Sequence, residues 1–165
     1  MRTLSTAVSA LIIGLLASSG ARADGDCTRI HERIVTTFTP CKTICTTGTV
    51  GPPRLHWTTS FMVISISSGP DASMRYTGRF VLTTPSGSVT LHDSGILTEK
   101  GKFFEIQMVV SGTGAFKGAT GMLTSQGRET LTGFAGRLTG SICAPGGELS
   151  AYGEDSNFDD EDSDE

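Results

Sequence analysis

Between Arg29 and Cys143 closely spaced turn signals cut the chain into segments of strand length, and no apolar period of 3.6 persists anywhere. Gly51-Pro52-Pro53, Gly69-Pro70-Asp71, Pro85-Ser86-Gly87 and Glu99-Lys100-Gly101 each stop such a run. Glycine and proline there supply the backbone angles of tight turns and end regular structure. A chain so divided reads as an all-β domain of many short strands.

The runs themselves alternate with period two. Arg29–Phe38 sets Ile30, Ile34 and Phe38 against His31, Arg33 and Val35, and Pro40 ends it. Cys41–Val50 is Thr-rich and extended, and Leu55–Ile66 is the longest β-like run. Tyr76–Thr84 holds Tyr76, Phe80 and Leu82 in phase, and Val89–Leu97 follows. Lys102–Val110 carries Phe104, Ile106, Met108 and Val110 on one face, which predicts that face as core and Glu105 as outward, toward solvent or another subunit. Met122–Ser125, a turn at Gln126-Gly127, and the runs Glu129–Phe134 and Arg137–Cys143 complete the set. About eight antiparallel strands hide their edges by closing into a barrel or folding into a sandwich.

Residues 1–23 read as a secretory signal: Arg2, an uncharged apolar stretch Leu4–Ala17, and Ala21-Arg22-Ala23 before the cleavage point at Asp24. The apolar stretch is short for a membrane span and no second one follows, so no membrane association is expected once it is removed. The expected location is secreted or periplasmic. Cys27, Cys41, Cys45 and Cys143 all lie in the mature chain, and four cysteines in an exported chain read as two disulfides with three possible connectivities. Zinc is disfavoured: Cys41 and Cys45 have no second ligand pair, and no histidine lies near Cys143 in sequence.

Charge is divided unevenly. Residues 154–165, EDSNFDDEDSDE, hold eight acids and no base, whereas Asp24–Gly153 carries nine acids against eleven Lys and Arg. Such a tail repels itself and is expected to be disordered. Its Asp155-x-Asn157-x-Asp159 start is like that of a calcium loop, but Asp160 stands where glycine is needed and no twelfth-position Glu follows. With an acidic chain and scattered Arg79, Lys100, Lys102 and Lys117, nucleic-acid binding is disfavoured.

Residues 111–121, SGTGAFKGATG, raise the question of a phosphate cradle. The spacing is not that of a dinucleotide fingerprint, Lys117 precedes Gly118 rather than following it, and the residues after Gly121 make a poor helix. A sharp corner is the better reading, with Phe116 plugging one end of a barrel.

This stretch, the terminal GRLTGSIC and the upstream YTGRFVLTTPSGSVTLHDSGIL resemble secreted bacterial relatives of the allene oxide cyclase and dirigent barrels, over roughly Cys45 to Cys143. The resemblance implies an eight-stranded antiparallel β-barrel with an internal ligand cavity, commonly a trimer, working without a cofactor. The plant cyclase closes a fatty-acid epoxide to a cyclopentenone, and dirigent proteins steer phenoxy-radical coupling. In this frame residues 24–44 form an N-terminal extension with the first strand, 45–146 the barrel and 147–165 the tail. A Cys45–Cys143 staple joining first and last barrel strands, with Cys27–Cys41 tethering the extension, follows from that picture.

Hydrolytic chemistry is disfavoured, since only His31, His56 and His92 exist and no nucleophile motif is present. In Val89–Leu97, Asp93 shares the phase of Val89, Leu91 and Leu97, which points it inward as a candidate general acid or base. The competing and favoured reading is an Asp93-Ser94-Gly95 bulge or turn with the carboxylate bonded to backbone. Trp57 and Tyr76 are core or cavity wall, and candidate ligand contacts with Asp93. His92 falls on the solvated side. The function expected is cofactor-free binding of a small apolar or aromatic ligand; the alternative is a cyclase, isomerase or dirigent-type protein. Two inward ionisable groups, such as Asp93 with His56, would favour catalysis.

Overall fold

The computed structural model describes residues 26–145. The signal reading for residues 1–23 and the acidic tail at 147–165 lie outside them. Eight strands close into one antiparallel barrel: β1 (Asp26–Thr39), β2 (Cys45–Val50), β3 (Trp57–Ser68), β4 (Met74–Thr84), β5 (Gly87–Leu97), β6 (Lys102–Gly112), β7 (Thr120–Glu129) and β8 (Gly133–Ala144). Each strand pairs with its sequence neighbours, and β1 closes the ring against β8 from Asp26↔Ala144 to Thr37↔Gly133. Closure leaves no free edge, which settles barrel over sandwich.

Two expectations about boundaries are corrected. β1 is a wall of the barrel and not part of an extension outside it. Gln126-Gly127 lies within β7; the chain turns instead at residues 130–132, where Thr130 Oγ1 accepts the amide of Gly133 at 3.1 Å.

In an up-and-down barrel, alternate connections fall at opposite ends. The end carrying the β4–β5 turn and the β6–β7 connection is plugged. There a single 3-10 turn, Gly114–Phe116, follows β6 and sinks Phe116 among core residues such as Val89, Leu123 and Ile142. Gly114 has φ +58°, and a Cβ on it would run into the Ser86 carbonyl of the neighbouring turn. The glycine cluster is thus the expected corner, and no longer helix opens there.

The inward rows of β4 and β5 are as read: Tyr76, Phe80 and Leu82, then Val89, Leu91 and Asp93, are all buried. The reading of β6 is reversed. Phe103 and Gln107 are buried, while Phe104, Ile106, Met108 and Val110 point outward, Val110 to 60% exposure. The cause is the β5–β6 hairpin, whose register sets Leu97 opposite Phe103 and Gly95 opposite Glu105, so the odd-numbered residues of both strands share the interior.

The disulfides are also corrected. Cys27 bonds Cys143 and Cys41 bonds Cys45. Because β1 is the strand that meets β8, Cys27 faces Cys143 across the seam, whereas Cys45 opens β2 beyond the connection from β1. In the chain-entropy picture the Cys27–Cys143 link, with a separation of 116 residues, is worth about 5 kcal/mol, against about 2 for the separation of 4 in Cys41–Cys45. Non-reducing peptide mapping should recover these two pairs. Replacing Cys27 and Cys143 by Ser should lower the melting temperature more than replacing Cys41 and Cys45.

Candidate functional site

The other end of the barrel, which carries the β1–β2, β3–β4, β5–β6 and β7–β8 connections, holds a cavity of about 40 Å³. Its wall is apolar and rich in rings: Phe61, Phe80, Phe103 and Phe134, with Ile44, Met74 and Leu97 contributed from strand ends or connections at that end. Phe103 and Phe134 meet edge-on at 5.5 Å, a geometry that suits opposed ring quadrupoles.

Thr36 and Thr46 line it on the β1–β2 side, and across the sheet three further polar side chains cluster: Tyr76, Glu105 and Ser125. They are brought together by one rung of the sheet, Tyr76↔Gly95↔Glu105↔Ser125 across β4 to β7. Gly95 is what lets Tyr76 reach across. A Cβ at that position would collide with the phenol ring, so any other residue would displace it. The Tyr76 hydroxyl donates to Glu105 Oε1 at 2.7 Å, and Ser125 Oγ donates to Oε2. Gln107 Nε2 donates to the same Oε2 at 3.2 Å and to Ser125 Oγ at 3.3 Å.

The next rung, Gly78↔Asp93↔Gln107↔Leu123, lies deeper in the barrel. Asp93 is fully buried there, and neither carboxyl oxygen has a hydrogen-bond partner. Gln107 Oε1 is likewise buried and unpaired. The bulge reading of Asp93 is therefore overturned: the irregularity in the β5–β6 ladder falls at Thr90/Leu91, and Asp93 sits in regular register.

Burial and the nearby Glu105 charge push the Asp93 carboxyl up to about 8, with the Gln107 side chain opposing the rise. Burial also raises Glu105, against the pull of its hydrogen bonds from Ser125, Tyr76 and Gln107. Tyr76 is raised by burial first, then by Glu105 and Asp93. Three donors converge on Glu105 and none on Asp93. Near neutral pH the pair therefore holds its proton on Asp93 and its negative charge on Glu105. No Lys, Arg or His lines the cavity to balance that charge.

Tyr76 lies in the interior as its phase predicts; Asp93 does too, as its phase suggests and against the favoured bulge reading, one rung below the cavity wall. Trp57 is not with them. The 3-10 turn Pro53–Leu55 and left-handed His56 (φ 50°) deliver it at the plugged end, where it packs on the core beside Pro52 and Pro53. His56 and His92 are exposed, so the pairing of Asp93 with His56 does not occur. Glu105, Gln107 and Ser125 were missed as interior groups. The signal for Glu105 and Gln107 was hairpin register: once Asp93 and Leu97 point inward, a turn pairing 97 with 103 carries residues 105 and 107 inward too.

Comparison with protein-family profiles finds no match, and comparison with curated proteins finds none. Among solved structures, that of a pterocarpan synthase dirigent protein matches at 14% identity over 87% of this chain and 99% of that one, with a TM-score of 0.31. A likeness of that size carries no argument, and the barrel rests on its own closed ladder of strands.

Because folded Asp93 binds its proton far more tightly than an unfolded Asp, its ordinary value being 3.8, its contribution is complete below about pH 4 and is lost as pH rises toward 8. Stability should fall across that window by up to about 1.4 kcal/mol per pH unit from this group. In urea unfolding at pH 5 and pH 8, Asp93→Asn should flatten the loss and be the more stable protein at pH 8.

Proposed function

We propose that the chain is an exported barrel that binds a small, largely apolar molecule end-on at the cavity, with the molecule's polar tip against Glu105. The observation that carries this is a half-buried, triply hydrogen-bonded carboxylate on the wall of a ring-lined cavity at the unplugged barrel end. A structural core would fill that volume with apolar side chains instead. The cavity has room for roughly three waters, at about 10–15 Å³ each. Ligand pockets are larger, roughly 300–1,000 Å³. The deep end thus admits a tip, while the ligand body packs on Ile44, Met74 and Phe134. Two disulfides support an oxidising location, extracellular or periplasmic.

The unlike pair Asp93 and Glu105 favours a second reading. One carboxyl keeps a proton and the other, in the cavity wall, is free to accept one, the division of labour that cyclisation or isomerisation by proton transfer uses. Neither reading calls on a cofactor.

Val63→Phe, on the cavity wall, tests the site. It should weaken binding of a phenyl-bearing probe such as 2-phenylethanol by at least about tenfold at a stability cost of about 1–3 kcal/mol. The checks are calorimetric titration and urea unfolding. Undiminished binding would place the ligand elsewhere, for example in the shallow groove beside Trp57.

A further inference from the structure

The polar groups at the cavity floor are unevenly supplied. The side-chain donors around Glu105 are already committed: Tyr76 and Ser125 donate to Glu105, and Gln107 Nε2 is shared between Glu105 and Ser125. Oxygens on the rung below the cavity wall are left unpaired. Both oxygens of fully buried Asp93 and the Gln107 carbonyl oxygen have no partner. Native interiors rarely leave three neighbouring buried oxygens unpaired, because each loses its bonds to water without replacement.

Charge is unbalanced in the same sense. Two inward carboxyls occupy adjacent rungs, and no basic side chain lines the cavity. A buried carboxylate without a counter-charge is among the costliest groups a fold can keep. A ligand that brings a positive charge and N–H donors to Glu105 would relieve the charge imbalance.

The walls say what kind of cation. Four phenylalanines line the cavity, and their ring faces attract an ammonium stripped of water. For a metal ion the anionic ligands are too few: among the described residues no three His, Cys, Asp or Glu are grouped to hold one. A carboxylate-tipped ligand would meet repulsion from Glu105, and a ketone or ether would bring no donor to it.

We infer that the cavity is selective for an apolar amine, its ammonium group hydrogen-bonded to Glu105 and its hydrocarbon body held at the ring-lined mouth. This rests on the binding reading above and specifies its ligand class. The ammonium completes the bonding of Glu105 and supplies the missing counter-charge. It also offsets the Glu105 charge, the second cause after burial that keeps Asp93 neutral, so amine binding near pH 7 releases part of a proton from the pair. Asp93 on β5, Glu105 on β6 and Tyr76 on β4 are the titratable groups that face one another there; the lining residues of β3, β7 and β8 add none.

The test uses three probes of one shape, 2-phenylethylamine, 2-phenylethanol and phenylacetate, titrated calorimetrically into the protein at pH 7. The amine should bind at least about tenfold more tightly than the alcohol, the worth of a charge-assisted bond over a neutral one. Phenylacetate should bind weakest. Glu105→Gln should erase the preference for the amine while the alcohol still binds. Should that variant not fold, wild-type titrations in two buffers of different ionisation enthalpy decide: proton release with the amine and none with the alcohol supports the inference, and equal release overturns it. Alcohol or acid binding as tightly as amine overturns the amine assignment and leaves the binding reading standing. Binding of none of the three overturns both. Sodium or potassium ions competing with the amine at millimolar concentration would overturn the organic part of the assignment.

Discussion

The pairing of β1 with β8 is the constraint on which everything else rests. Twelve residue pairs, Asp26↔Ala144 through Thr37↔Gly133, turn a meander of hairpins into a ring. Before closure the strands have two faces and two edges; after it they have an inside and an outside. Alternation then assigns every side chain to one or the other, and the Cys27–Cys143 bond fixes the seam at the plugged end. An eight-stranded ring leaves an interior that side chains can just fill. Whether it is filled therefore depends on the residues of each rung. Around Phe116 it is packed with Val89, Leu123, Leu138 and Ile142. Two rungs toward the other end are given to Asp93, Gln107, Glu105 and Ser125, and there packing gives way to a polar network and a cavity.

Such a network is expensive to keep. Removing two carboxyls from water costs several kcal/mol, and no basic residue at the cavity repays it. The protein limits the cost in two ways. It surrounds Glu105 with donors, and it keeps Asp93 protonated, so only one charge is buried near neutral pH. Gly95 serves the same arrangement by giving up its side chain so that Tyr76 can lie across the rung. A fold that holds these groups accepts lower stability at that end in exchange for a defined polar point inside an apolar cavity.

Much of this was legible in the sequence. Turn chemistry divides the chain correctly in most places, and the phase of Tyr76, Phe80 and Leu82, and of Val89, Leu91 and Asp93, gives the interior of β4 and β5. The glycine run reads correctly as a corner with Phe116 as its plug. β6 failed because apolarity is a poor compass when both faces carry it. Phe104, Ile106, Met108 and Val110 form the cleaner stripe but face outward, while the interior row mixes Phe103 with Glu105 and Gln107. The same locally sensible choice misplaced Cys45: taking the barrel to begin at β2 hid the fact that β1 supplies the seam. In both cases the missing information was pairing between strands, which no single strand contains.

The state of the interior turns on where its proton sits. Carboxyl carbon resonances of protein labelled with 13C at Asp and Glu side chains, followed from pH 4 to pH 9 and assigned with Asp93→Asn and Glu105→Gln, report it directly. One Asp resonance, lost in Asp93→Asn, should remain in its protonated position through neutral pH and move only near pH 8. An Asp93 resonance that has already moved by pH 5 would mean an ionised, solvated carboxyl, and the closed interior described here would be wrong.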